Sequence, residues 1–359
     1  MPYVWDINKA EGPDMATVDV TVMGAGIFGL SVAYACARRG AHVQVIDPAG
    51  VGAGASGGIV GALAPHVPEN WNAKKAFQLD SLLMQADFWA QVEDTSGMQS
   101  GYARRGRLQP LADDAAVALA MARAQTAKAL WQGHASWDVI AADQGAWSPP
   151  SPSGYVVYDT LSALIHPRRA TQALAAAVTQ LGGRIVAQGA ASGAVVWATG
   201  WAGLHDMTQA HSRMVGGGVK GQAALLAHDA AGLPQLYADT LHIVPHNDGT
   251  VAIGSTSERD FTDAKATDDK LDDVIARARA AMPILQSAQV LARWAGVRPR
   301  SRSRAPMLGA HPFRQGEFVA NGGFKIGFGM APKAGEVMAD LILAGVDHIP
   351  DDFKPERSL

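Results

Sequence analysis

A single cysteine, Cys36, stands among 359 residues, which excludes a disulfide framework and a zinc site built from several thiolates. Charge is scarce as well: charged residues make up 18% of the chain, and the formal balance is −3. No surplus of positive charge is available to hold a phosphate backbone, so nucleic acid is not expected as the main partner. No run of about 20 apolar residues occurs, and no membrane span is expected. The N-terminal stretch MPYVWDINKAEGPDM lacks a basic patch leading into an apolar run and does not read as a signal peptide. The histidines show no metal-ligand spacing in a suitable setting, so no metal is expected, and no Ser/His/Asp triad can be assembled. Internal repeats and low-complexity tracts are missing too. Hydrophobic residues make up 48%, a globular average, so the chain reads as folded, cytoplasmic and long enough for two domains.

What the chain has in quantity is glycine, 39 residues, clustered at 24–29, 52–61, 216–221 and 322–329. Glycine permits close approach of backbone to a ligand. Four such clusters point to one extended ligand touched by several loops.

Val18 to Met23 reads as a buried strand, Ile27 to Arg39 as a helix ended by Gly40, and His42 to Asp47 as a second strand. This is a βαβ unit opening a parallel sheet. Helices are expected over 73–92, 112–132 and 168–181, with a strand at 194–198 running into Thr199-Gly200. Alternation at 222–226, 241–245 and 250–254 suggests an antiparallel sheet. A strand at 317–320, a glycine loop and a helix from about Pro332 to Ala344 close the chain.

Between the first two strands, Gly24-Ala25-Gly26-Ile27-Phe28-Gly29 fits G-x-G-x-x-G. Gly24 permits the tight turn, Gly26 lets backbone approach a pyrophosphate, and Gly29 lets the helix pack on the strand, with the phosphates at the helix N-terminus. Asp47, at the end of the second strand, is placed to accept hydrogen bonds from ribose hydroxyls. An acid there argues against a 2′-phosphate, which leaves FAD or NAD.

The next segment, Gly52 to His66, contains Ser56, Gly61, Leu63 and Pro65 in an order that resembles the D-amino-acid oxidase-like superfamily of FAD-dependent oxidoreductases, most closely its glycine oxidase and sarcosine oxidase branch. The resemblance continues, in order, through ALIHPRRATQAL (163–174), VVWATGW (195–201), VKGQ (219–222), IVP (243–245), VAIGST (251–256), WAGVRP (294–299) and NGGFKIGFGMAP (321–332). It implies an α/β chain, α+β overall. A discontinuous Rossmann-like FAD-binding domain (15–75, 166–206 and 294–350) would carry an inserted antiparallel-sheet substrate domain (76–165 and 207–293). It also implies that Ser56 donates to phosphate, that Gly61, Ala62 and Leu63 border the flavin, and that Thr199, Gly200 and Trp201 return to the cofactor. Gly323, Phe324, Lys325, Ile326, Gly327 and Phe328 would wrap the isoalloxazine, and the positive end of the helix near Pro332 would face the ring edge that gains charge on reduction. Cys36 lies in the first helix, away from the ring in such a fold, so the FAD is expected to be non-covalent.

The resemblance assigns Arg298, in G-V-R-P, to the substrate carboxylate, which a guanidinium holds with two parallel hydrogen bonds. Lys325 stands where glycine oxidases carry a second active-site arginine, and His242 where the branch has a tyrosine. Arg293, Arg300, Arg302 and Arg304 cluster around Arg298, with Ser303 where the family often has an acid. They are either solvated and structurally paired, or they meet a further anionic group on the substrate. The segment 184–194, shorter than usual, leaves the adenine contacts open. The activity implied is oxidation of the C–N bond of a small amino acid or secondary amine. Hydride would pass to flavin N5, water would hydrolyse the imino acid, and oxygen or another acceptor would take the electrons. Positioning dominates such chemistry, so no dedicated base is required. A 2-hydroxy acid as substrate and a non-catalytic, redox-sensing flavoprotein are the alternatives.

Overall fold

A computed structural model describes residues 17–143 and 145–359. The N-terminal stretch read above for a signal peptide, and residues 15–16 of the expected FAD-binding domain, lie outside them.

The first βαβ unit forms as the glycine spacing predicts, with β1 (Val20–Met23), α1 (Ile27–Ala37) and β2 (Val43–Ile46), the strands parallel. Every residue of α1 is buried, so the helix is enclosed on all sides rather than amphipathic. After the short β3 (Ala62–Leu63), Asn72 caps α2 (Ala73–Ser96), accepting from the Lys75 N–H at 3.1 Å, and Gly97 ends the helix at φ 68°. Then come β4 (Arg107–Pro110), α3 (Asp114–Leu130), β5 (Trp137–Ala141), β6 (Tyr155–Asp159) and β7 (Ala163–Leu164). Pro167 opens α4 (Pro167–Gln180) at its first position, where no N–H is needed. β8 (Arg184–Val186), β9 (Ala194–Trp197) and α5 (Gly200–Ala210) complete the middle of the chain.

A run of longer strands follows: β10 (Gly216–Ala227), β11 (Gln235–Ala238), β12 (Leu241–Pro245) and β13 (Thr250–Gly254). The chain ends with α6 (Asp269–Ala281), β14 (Val290–Ser301), β15 (Met307–Ala310), β16 (Phe318–Asn321) and α7 (Gly327–Ala339). One six-stranded sheet has the order β15-β16-β9-β1-β2-β8, parallel except for the β15–β16 pair. An eight-stranded sheet has the order β14-β10-β13-β12-β11-β4-β6-β5 and is antiparallel except where β11 meets β4. A buried Arg107–Asp159 ion pair, 2.9 Å, joins β4 to β6.

Two elements, β14 and α2, run across expected domain boundaries. The cut at 293/294 falls inside β14, a continuous strand of the larger sheet, because its register with β10 runs from Val290 to Ser301. Helix α2, expected in the inserted part, buries Phe77, Leu82, Phe88, Trp89 and Val92 in the same core as α1, α4 and α7. Helices α5 and α6 were not expected. α6 carries a clear signal in retrospect: Asp268 at its N-cap, then Leu271, Val274, Ile275 and Ala278, all buried against the large sheet.

The last helix starts at Gly327, not near Pro332, which lies inside it. Proline has no N–H for the carbonyl four residues back and crowds it. Gln85, fully buried in α2, makes good the loss: its Nε2 donates to Phe328 O at 3.0 Å and to Gly329 O at 3.3 Å. Trp89 Nε1 in turn donates to Gln85 Oε1 at 2.7 Å. The helix therefore reaches one more turn towards the cavity than its proline suggests.

Candidate active site

A cavity of about 900 Å³ runs from the β1–α1 turn to the face of the large sheet. Its first end is made of backbone. Gly24 sits at φ 112°, and a Cβ there would lie 2.5 Å from Ala198 O at the end of β9. A Cβ on Gly29 would lie 2.0 Å from Gly24 O, so the third glycine sets the approach of α1 to β1. No side chain of its own caps α1; instead Ser56 Oγ accepts from the Ile27 N–H at 2.9 Å. Its hydroxyl hydrogen remains able to donate. Asp47 accepts from Ala25 N–H at 2.8 Å and Ala49 N–H at 2.9 Å, which fixes its carboxylate beside the turn.

Of the expected cofactor residues, Gly24, Gly26, Ile27, Phe28, Asp47, Ser56, Gly61 and Ala62 line the cavity, as do Thr199, Gly200 and Trp201. Gly323, Phe324, Lys325, Gly327 and Phe328 line it from the C-terminal loop. Leu63 and Ile326 do not. In β3 successive side chains point to opposite faces, so with Ala62 towards the cavity Leu63 enters the core, 2% exposed. Ile326 packs on the same core. Gly29 stands behind the wall, in its packing role.

The other end of the cavity is made of side chains from several segments. Arg298 Nη2 donates to Ser255 Oγ at 2.6 Å, and Nη1 to Thr256 O at 3.3 Å. Among the described residues no carboxylate pairs with it; the nearest influence is Glu258, already held by Thr256 Oγ1 at 2.5 Å and Lys270 at 2.9 Å. Burial lowers the Arg298 pKa to about 10, which still leaves the guanidinium charged at neutral pH. Gly221 makes the room: a Cβ there would lie 2.0 Å from Arg298 Nη2.

His242, on β12, is lowered to about 3 by burial, then by the charges of Arg107, Lys325 and Arg298, so it is a neutral imidazole. Its Nδ1 is buried without a partner. Tyr237 lies directly opposite in register on β11, its ring centroid 4.9 Å from that of His242, and it also lines the cavity. Lys325, exposed at the cavity mouth, is shifted below the usual lysine value by desolvation and by Arg298 and Arg300. Sequence reasoning names neither Tyr237 nor Gln85, and it places Gly221 and Ser255 only within the quoted segments VKGQ (219–222) and VAIGST (251–256), without a role.

Cys36 is buried in α1 and does not line the cavity, and burial pushes its thiol up to about 12. Among the described residues no helix is long and apolar enough to cross a membrane.

A glycine turn suited to a dinucleotide, at the end of a parallel strand, is joined by one cavity to a cationic pocket on an antiparallel sheet, the layout of a dinucleotide-dependent enzyme. The chain belongs to the FAD dependent oxidoreductase family, whose model matches residues 19–341, and its cofactor is FAD. It is similar to the glycine oxidase of Pseudomonas putida KT2440, 28% identical over 95% of this chain and 99% of that protein. Among solved structures, glycine oxidase from Geobacillus kaustophilus superposes with a TM-score of 0.81 at 20% identity, over 94% of this chain and 97% of the other. Iminodiacetate oxidase from Chelativorans sp. BNC1 does so with 0.81 at 19% identity, over 94% and 98%.

Proposed function

We propose that this enzyme oxidises the C–N bond of a small amino acid or secondary amine that carries a carboxylate. The observation that carries the reading is Arg298, a buried, charged guanidinium held on one side by Ser255 and Thr256, with no carboxylate partner among the described residues. A substrate carboxylate would complete it and so fix the orientation of the amine-bearing carbon. His242, neutral, offers a ring nitrogen able to accept a hydrogen bond from an amine, beside the Tyr237 ring.

The residues at the opposite end suit the cofactor. Gly26 leaves a cradle at the start of α1 that a side chain would narrow, since a Cβ there would lie 3.3 Å from Ser56 Oγ. Backbone N–H groups of that first turn would hold the pyrophosphate with Ser56, and Asp47 the ribose. Gly61, at φ 68°, tolerates no Cβ, which would lie 1.8 Å from Ile165 O, and so keeps the cavity wall to bare backbone. Bound FAD supplies the two-electron acceptor for the oxidation. The likeness to the glycine oxidases and to iminodiacetate oxidase supports an amine rather than an alcohol as substrate.

The test is anaerobic mixing of the FAD-loaded protein with glycine, N-methylglycine and D-amino acids on one side, and matched 2-hydroxy acids on the other. Loss of the oxidised flavin absorbance is expected with the amines only. Bleaching by hydroxy acids alone would transfer the reading to alcohol oxidation, and bleaching by neither would remove the catalytic role.

A further inference from the structure

We propose that the substrate carries a second anionic group, held by Lys325 and Arg300 beyond the carboxylate on Arg298. The proposal rests on the reading above for the place of the first carboxylate, and on a separate observation for the second. Of the four arginines surrounding Arg298, two are engaged structurally. Arg293 pairs with Asp272, and Arg302 donates to the carbonyl of the terminal Leu359. Arg300 and Arg304 make no ion pair among the described residues, and neither do Arg298, Arg259 and Lys325; the ion pairs of this part of the chain lie elsewhere.

Strand geometry brings these free cations together. Arg298 and Arg300 are two apart on β14, so they leave the same face of the sheet, about 7 Å apart along the strand. Their partners on β10 are Val219 and Gly217, with Gly221 one step beyond, so small residues clear this face for long side chains. Arg298 lies over Gly221 and lines the cavity, whereas Arg300 does not line it and extends over the ring of Phe324, a lining residue, at 5.5 Å. Lys325 Nζ lies 5.8 Å from the centre of the same ring. Phe324 itself is held in a left-handed conformation, φ 44°, with its N–H donated to Pro299 O at 2.9 Å, and this turn sets Lys325 at the mouth. Mutual repulsion registers along the series: Arg298 and Arg300 lower Lys325, and Arg304 and Arg259 lower Arg300, in each case after desolvation.

Among the described residues the only carboxylate lining the cavity is Asp47, at the far end beside the glycine turn. A substrate with one carboxylate satisfies Arg298 and leaves Lys325, which lines the cavity, and Arg300, at its edge on the Phe324 ring, with no anionic partner among the described residues. A second anionic group on the substrate neutralises them and gains from both. The substrate class that fits is therefore an amino acid or N-substituted amino acid with two acidic groups, such as an amino dicarboxylate or an imino dicarboxylate.

The experiment compares acids with isosteric amides on the FAD-loaded enzyme: D-aspartate with D-asparagine, and iminodiacetate with its monoamide. The expected result is a kcat/KM ratio of about tenfold or more in favour of the acid, diminished by added salt. Arg300→Gln should bring the ratio towards one and Arg300→Lys should restore part of it; Lys325→Gln serves should Arg300→Gln not fold. Binding of thiodiacetate and of its monoamide, read from the perturbed flavin spectrum, should show the same preference without turnover. Oxidation of acid and amide at equal kcat/KM, with a ratio that Arg300→Gln does not move, overturns the second site while sparing amine oxidation. Absence of turnover with thiodiacetate still preferred overturns amine oxidation and keeps the second site.

Discussion

The two ends of the cavity are built by different means. At the glycine end, main chain does the work: the Gly24–Gly29 turn, the Ile27 N–H taken by Ser56, and Asp47 held by two backbone N–H groups. At the arginine end, side chains from β11, β12, β14, the segment after β13 and the loop before α7 converge on one space. The first end tolerates no Cβ at Gly24 or Gly29 and relies on two polar side chains, Ser56 and Asp47, each hydrogen-bonded to backbone N–H. The second end depends on which side chains are present, and on the glycine, Gly221, that leaves them room. A change at one end should therefore separate binding of the cofactor from recognition of the substrate.

The largest separation is expected at Arg298. Arg298→Ala removes the partner of a buried carboxylate, at a cost of about 2–5 kcal/mol. That is a loss of about 30- to 3000-fold in kcat/KM, measured at matched flavin content. Arg298→Lys keeps the charge without the fork and should recover only part of it. Gly221→Ala reaches the same end indirectly, because the new Cβ displaces the guanidinium; kcat/KM should fall at least about tenfold with FAD retained. Unchanged turnover in both variants would remove the carboxylate role.

Asp47→Ala tests the opposite end. Loss of a charged hydrogen-bond acceptor should weaken FAD binding by about 1.5–3 kcal/mol, measured by titrating the apoprotein with FAD. At saturating FAD the preference among substrates should stay as in the parent. A shift in that preference would show that the two ends are coupled.

The same contrast explains what the sequence made legible. The βαβ opening, the glycine turn, Asp47 and strands β12 and β13 follow from local patterns: apolar runs, turn glycines and period-two alternation. The start of α7 is hidden in the sequence because Pro332 suits a first helical turn, whereas the partner that lets it sit inside the helix, Gln85, lies in α2, remote in sequence. Leu63 was assigned to the cofactor because a motif does not say which of two adjacent strand residues faces inward. Arg298 and Lys325 were found through family resemblance, and what surrounds them, Tyr237 and Ser255, depends on strand pairing that no local pattern encodes.

Gln85 supplies a third, smaller test. Gln85→Leu leaves Phe328 O without its donor beneath a helix that lines the cavity, together with an unpaired Trp89 N–H. A cost of about 1–3 kcal/mol is expected in denaturant unfolding of the FAD-loaded protein. An unaltered midpoint would show that the proline break needs no mending.

The smallest effect is a pH dependence of stability, to which the arginine end contributes through His242 and the start of α4 through His166. His242 is lowered from 6.5 to about 3, by burial and then by Arg107, Lys325 and Arg298. His166 is lowered from 6.5 to about 4, by burial and then by His246 and Arg169. The unfolded chain takes up these protons as pH falls through 6.5, whereas the folded protein resists until about 4 and about 3. In that window the unfolded state binds more protons, so stability falls with falling pH; above 6.5 these groups contribute no slope. Each histidine adds at most about 1.4 kcal/mol per pH unit, and less within the first unit. Denaturant unfolding measured between neutral and mildly acidic pH should show this slope, and His242→Gln should reduce it by one proton's share. An unchanged slope in His242→Gln would mean that the imidazole is charged in the folded protein, and the neutral acceptor beside Tyr237 would be lost from the site.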